Sequence, residues 1–178
     1  YCGLLEMDLN GVKFYFIDNE YYFKREGEIA YLYGYGDDAE RYTFFSNAVL
    51  EAMSILNFYP DIVHLNDWHT GMIPLILKEK YSHSKKYKNI KTVYTIHNLQ
   101  YQGVFSDSII EDVLDIPRAY YNNGDIEYYG GVSFMKSGIV FSDKVIAVSP
   151  TYSNEIQTEF YGEGLDGLLK SKSHKLKG

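Results

Sequence analysis

Three short apolar segments, each followed at once by a polar cluster, constrain this chain more than any other feature. They are D-I-V-H-L at 61–65, K-T-V-Y-T-I at 91–96 and K-V-I-A-V at 144–148. None shows the clean alternation of a strand with one wet face, so each suits a strand covered on both faces, as in a parallel sheet. The segments between them carry helical spacing. A helix is expected from Trp68 or Thr70 to Tyr81, another over Val132–Phe141, and a third opened by Ser149-Pro150, with proline at its first position. Strand, helix, strand, mixed segment, helix, strand, helix is the order of an α/β fold with a doubly wound, mostly parallel sheet. Ligands of such sheets bind beyond the carboxyl ends of the strands, which points to residues 66–69, 97–103 and 149–152.

The first third of the chain reads differently. Leu4–Leu9 and Val12–Ile17 flank Asn10-Gly11, the strongest short-range hairpin signal. Val12, Phe14 and Phe16 alternate with Lys13 and Tyr15, which predicts one buried face. Residues 19–38 are rich in tyrosine and glycine and read as a long loop. Phe44, Phe45, Ala48, Val49, Ala52, Met53 and Leu56 recur at helical spacing, predicting a helix over 40–58 that Pro60 ends. Later, Ser108–Leu114 reads as a short helix, Asn122-Asn123-Gly124 as a turn, and Lys170–Gly178 as a solvated basic tail.

Composition narrows the function classes. With 17 Lys and Arg against 24 Asp and Glu, the net charge of −7 argues against nucleic acid or an anionic membrane as main partner. No apolar run approaches the ~20 residues of a bilayer span, and residues from Tyr1 on do not read as a secretory leader. Cys2 is the single cysteine, which excludes an internal disulfide and fits the cytoplasm. Nineteen tyrosines are an excess: such rings suit core margins or sugar-stacking grooves.

The densest chemistry lies in His64, Asn66, Asp67, Trp68 and His69. Asp67 can accept hydrogen bonds from sugar hydroxyls, and His69 can donate or accept near neutrality. Other readings stay open: Asn66 or Asp67 as a helix cap with Trp68 in the core, or His64, Asp67 and His69 around a metal ion, although their spacing closes no full ligand set. The second cluster, H-N-L-Q-Y-Q-G at 97–103, sets imidazole, amides and a phenol just past a buried strand. Such polar density suits a polyhydroxylated ligand. No serine sits in a G-x-S-x-G elbow, and neither G-x-G-x-x-G nor G-x-x-x-x-G-K-[ST] occurs, so no phosphate loop is evident.

Four linked motifs then carry a resemblance: D-I-V-H-L-N-D-W-H-T-G at 61–71, T-I-H-N-L-Q-Y-Q-G at 95–103, G-V-S-F-M-K-S-G at 131–138 and A-V-S-P-T-Y at 147–152, continued by Y-G-E-G-L-D-G-L-L at 161–169. Together they resemble the bacterial glycogen synthase and plant starch synthase family of retaining, ADP-glucose-dependent glycosyltransferases. The resemblance implies a GT-B enzyme of two Rossmann-like halves that moves glucose from ADP-glucose to the non-reducing end of an α-1,4-glucan, with no metal and no cofactor beyond the donor. It implies catalytic roles for His97 and Asp67, with a carbonyl at His97 facing the anomeric carbon, and substrate contacts for Trp68, His69, Asn98 and Tyr101. Asn66 stands where many members have histidine. It further implies that residues 1–178 are a partial, acceptor-side N-terminal domain. The first strand with its Lys-Thr-Gly-Gly-Leu loop and the nucleotide-binding C-terminal domain would be missing, the fragment inactive alone, and apolar surface exposed where that strand packs. The alternatives are a non-catalytic glucan-binding module and an unrelated nucleotide-sugar enzyme of the same fold.

Overall fold

The three apolar segments form adjacent parallel strands. In a computed structural model that describes residues 1–25 and 32–178, β1 (Gly3–Leu9) and β2 (Val12–Asp18) pair as a hairpin, followed by α1 (Glu20–Phe23) and α2 (Asp38–Ile55). Then come β3 (Ile62–Asn66), α3 (Ile73–Ile76), β4 (Lys91–Ile96), β5 (Val104–Ser106), α4 (Ala119–Asn122), β6 (Glu127–Tyr128) and β7 (Gly131–Ser133). The chain closes with α5 (Phe134–Phe141), β8 (Lys144–Ala147), α6 (Pro150–Glu155), α7 (Asp166–Ser171) and β9 (Leu176–Lys177). Residues 1–58 and 59–178 make two separate compact units.

In the first unit the hairpin register is the one the Asn-Gly turn dictates, with Leu9 opposite Val12 and both turn residues at positive φ (56° and 81°). The expected burial of Val12, Phe14 and Phe16 does not hold: they are 56%, 40% and 48% exposed. The hairpin is apolar on both faces, and α2 covers only the other one, where Leu4 and Ile17 line a cavity with Phe44, Ala48 and Ala52. The predicted loop over 19–38 contains the one-turn α1, capped by the Asn19 side chain; residues 26–31 lie outside the described residues. Helix α2 stops before Pro60 has any say. Asn57 takes the left-handed conformation (φ 48°), Phe58 N–H reaches Met53 O, and Asn57 N–H reaches Ser54 O, a Schellman ending. Of the predicted apolar stripe Ala52 and Met53 are buried and Phe44, Phe45, Ala48, Val49 and Leu56 half-buried, while the buried positions also include Leu50 and the Asp38–Arg41 ion pair (2.7 Å).

The second unit holds a parallel sheet in the order β3-β4-β8-β9, with a three-stranded antiparallel sheet β5-β7-β6 beside it in sequence. Tyr94, Ile96, Leu65, Val145 and Ala147 from the parallel strands are at most 2% exposed, as are Leu75, Ile76, Phe134 and Ile139 from the helices. Each large chain of this kind contributes roughly 1.5–3 kcal/mol. Helix α5 comes so close to β4 that a Cβ on Gly138 would lie 2.4 Å from the Tyr94 ring. That wholly buried phenol donates to Met135 Sδ at 3.1 Å, and burial pushes its pKa well up.

Several boundaries differ from expectation for local reasons. The helix over 68–81 is a 3-10 turn (Trp68–Thr70), then α3, then a π-helical turn (Leu77–Tyr81). Pro74, without an N–H, sits in the first turn of α3 and prevents one continuous α-helix upstream. Likewise Ile110–Leu114 is a π-helical turn. Val132 and Ser133 belong to β7, and the Ser133 hydroxyl caps α5 by accepting Lys136 N–H (3.1 Å). Ser149 caps α6 with Pro150 at its first position, as its sequence predicts. Among the described residues no helix is long and apolar enough to cross a membrane.

The basic tail is solvated only in part: Lys170 and Lys177 are exposed and Lys172 is half-buried, but Lys175 is buried. Lys170 and Ser171 end α7, and Leu176–Lys177 form β9, the edge strand against β8. Lys175 is 8% exposed and donates to Val140 O (2.9 Å) in the last turn of α5 and to Ser142 O (2.6 Å) just past it. Burial lowers its pKa from 10.5 to about 8. Between those values the unfolded chain binds the extra proton, so stability rises with pH over that window and the penalty on the charged form is full below it. Urea midpoints measured from pH 7.5 to 10.5 are expected to show this rise, and K175M to lack it; parallel profiles would refute it.

Candidate functional site

The carboxyl ends of β3, β4 and β8 align, because Asn66 pairs with Thr95 and Ile96 with Ala147. Asp67, His97 and Ser149 therefore emerge from one edge of the sheet. Asp67 continues the ladder through its N–H to Thr95 O (3.0 Å), then turns sharply at φ 56°, ψ −178°. That region is nearly reserved for glycine and costs on the order of 1–3 kcal/mol. The turn aims the carboxylate at the next loop. Asp67 Oδ1 accepts the His97 N–H at 2.8 Å and the Asn98 N–H at 3.4 Å. Amide-to-carboxylate bonds of this kind contribute about 1.5–3 kcal/mol.

The same loop is held from other sides. His97 Nε2 lies 2.9 Å from Asn66 Oδ1, an arrangement in which Nε2 carries the proton. Leu99 N–H donates to the Tyr152 hydroxyl on α6 (2.9 Å), and burial raises the Tyr152 pKa. Asn98 Oδ1 accepts Gln100 N–H (3.0 Å), so that side chain shapes its own turn. Thr70 Oγ1 takes the Asn66 N–H (2.8 Å) and returns to Asn66 O (3.0 Å).

The expected site residues separate into two groups. Asp67, His97 and Asn98 come together, with the His97 and Asn98 side chains exposed and Tyr101 48% exposed further along the loop. Trp68 does not offer an open face: it is 3% exposed, stacked on His69 (centroids 4.1 Å) and packed near Phe105 and Phe134. Gly103 lies on the indole so closely that a Cβ would sit 2.2 Å from it. Trp68 is thus the floor beneath the 97–103 loop. His69 is half-buried against it, and His64 turns to Thr95 Oγ1 (2.7 Å). Among the described residues no three or more His, Cys, Asp or Glu stand placed to hold a metal ion, so the grouping of His64, Asp67 and His69 is not formed.

Tyr152 and Gln102 lie in segments the sequence singles out, but the sequence assigns neither a role. Gln102 is 7% exposed and donates through Nε2 to Glu163 O (2.9 Å) and the Tyr128 hydroxyl (3.2 Å). The motif A-V-S-P-T-Y already marked the first of these; nothing near Gln102 in sequence announces its distant partners.

The sequence profile of the starch synthase catalytic domain matches residues 1–171. The chain is 70% identical over all its 178 residues to the glycogen synthase of Clostridioides difficile and 53% identical to that of Caldicellulosiruptor bescii. It spans 37% and 36% of those proteins. It also superposes on the catalytic domain of starch synthase IV from Arabidopsis thaliana, solved with ADP and acarbose. The TM-score is 0.86 at 29% identity, over 98% of this chain and 36% of that one. These matches place the chain in a glycosyltransferase family. The chain belongs to the starch synthase catalytic domain family.

Proposed function

We propose that this chain supplies the acceptor-side half of a retaining glucosyltransferase. The whole enzyme moves glucose from ADP-glucose to the non-reducing end of an α-1,4-glucan. A second Rossmann-like domain, outside these 178 residues, grips the nucleotide. The observation that carries the reading is the lock of Asp67 onto the His97 and Asn98 amides at the carboxyl ends of adjacent parallel strands.

In this reading His97 is the catalytic contact. Its amide is fixed by Asp67 and its ring by Asn66, so its main chain is preorganised toward the transferred sugar, where a carbonyl offsets positive charge developing at the anomeric carbon. Asp67 is a positioning residue for that main chain. Asn98 and Tyr101 present polar edges to the sugars, with His69 at the margin and Trp68 supporting the loop from beneath. The bond from the anomeric carbon to ADP breaks as the bond to the acceptor O4 forms, and the acceptor proton leaves with the diphosphate. No cofactor is needed beyond the donor, and the free Cys2 fits the cytoplasm. No relative favours a stand-alone glucan-binding module.

The test joins this chain to the remaining part of the Clostridioides difficile synthase. The joined enzyme is expected to transfer labelled glucose from ADP-glucose to glycogen, the 178 residues alone to transfer none, and H97A, which keeps the carbonyl but frees the loop from its ring anchor on Asn66, to lose about ten- to a hundredfold in kcat through a misplaced main chain. An inactive joined enzyme, or an H97A variant at full rate, would sink the proposal.

A further inference from the structure

A second cleft, of about 440 Å³, opens between the β6–β7 turn and the loop that leads into α7. Glu127, Tyr128, Tyr129 and Lys136 line one side, and Gly164 and Asp166 the other. The turn itself is unusual. Tyr128 pairs with Gly131, leaving Tyr129 and Gly130 as a two-residue connection, both at positive φ (46° and 83°). Such a turn favours Asn, Asp or Gly at its first position, and this chain uses Asn10-Gly11 for the same geometry in β1–β2. A tyrosine here costs on the order of 1 kcal/mol in backbone energy, and the ring is not repaid by burial, being 84% exposed. It lies over Gly164, at φ 74°, where a Cβ would strain the backbone and approach 3.2 Å from the ring and 2.8 Å from the Tyr128 hydroxyl, so a larger residue there would press on both phenols.

The polar groups around the ring specify a ligand class. The charged groups at the rim already have partners: Asp166 pairs with Lys170 (2.8 Å), Glu127 Oε1 accepts the Gly130 N–H (2.8 Å), and the Lys136 ammonium, whose pKa burial lowers, donates to Glu127 O (2.6 Å). That balance does not favour an anion such as a nucleotide diphosphate. An apolar platform ringed by carboxylate acceptors and an ammonium donor suits a neutral, polyhydroxylated ring. The cleft is also tied to the candidate site. Gln102, next to Tyr101, hydrogen-bonds the Tyr128 hydroxyl, and the Tyr128 and Tyr129 rings meet edge-on with centroids 4.7 Å apart.

We propose that this cleft is a second subsite for the α-1,4-glucan, in which Tyr129 stacks on a glucose unit distant from the reacting end; the proposal rests on the acceptor reading above. The test titrates the 178-residue chain with maltose and with maltohexaose, comparing wild type, Y129N and Y129F. Asparagine relieves the turn, so Y129N is expected to melt at or above the wild-type temperature, which separates loss of the ring from loss of the fold. Y129N should bind maltohexaose about five- to tenfold more weakly with maltose affinity unchanged, and Y129F should keep both. Unchanged maltohexaose affinity in Y129N, equal weakening for both sugars, or no binding by the wild-type chain would each overturn the subsite. Transfer by the joined enzyme is read separately, so an intact rate with unaltered Y129N binding removes the subsite and leaves the transferase reading in place.

Discussion

Replacing Asp67 by glycine in the joined enzyme is expected to lower kcat by about a hundred- to a thousandfold while leaving thermal stability unchanged or slightly raised. The two effects part because Asp67 does two opposed things. Its backbone at φ 56°, ψ −178° is a conformation that glycine adopts without strain. Its carboxylate holds the His97 and Asn98 amides, and glycine leaves both without that acceptor. D67A keeps the strain and loses the acceptor, so it should lose activity to the same degree and also about 1–3 kcal/mol of stability. D67N keeps an oxygen at the same place without the charge and should lose only about tenfold. Melting curves and initial rates for the three variants check this. A D67G enzyme at full rate would show that the lock is not needed.

The second large effect is on the fold. A Cβ at Gly71 would lie 2.0 Å from Phe134 O and 2.7 Å from Phe134 C, both backbone atoms at the start of α5. Backbone cannot rotate away as a side chain can, so G71A must push α5 off the turn at Trp68–Thr70 and reopen the core around Phe134. The expected loss is at least about 4 kcal/mol, a large share of the roughly 5–15 kcal/mol that stabilises a typical domain, so the second unit should unfold at a much lower urea concentration. Gly167 is the control: nothing lies within 4 Å of its Cβ position, and it sits inside α7. G167A should therefore be neutral or gain a few tenths of a kcal/mol. Urea unfolding of both variants decides the matter, and a G71A chain with the wild-type midpoint would contradict the packing described.

These two residues also show what the sequence makes legible. The hairpin is readable because Asn10-Gly11 meets a backbone demand that few pairs meet, and the central strands because burial on both faces leaves continuous apolar runs. The site is readable as a place, since polar residues crowd the ends of β3 and β4. What each side chain does there is less so. Trp68 looks like a sugar platform until Gly103, 35 residues on, proves to lie on its ring; only the folded chain brings them together. Val12, Phe14 and Phe16 carry the alternation of a buried face, yet alternation says which residues share a side and not whether anything packs on it. Strand β9 was hidden because two residues inside a lysine-rich run have no periodicity to detect.

That last strand changes how the second unit opens. Val145 N–H donates to Lys175 O, and Val145 and Ile146 pair with Leu176 and Lys177. The amides along this edge of β8 are thus sealed by a segment of seven residues following α7, held by two backbone pairings and the Lys175 ammonium. Such a segment detaches far below the cost of global unfolding. Hydrogen exchange at Val145 therefore reports the departure of the tail, while exchange at Tyr94, in the strand between β3 and β8, reports the opening of the sheet itself. The edge of the sheet and its centre keep different clocks.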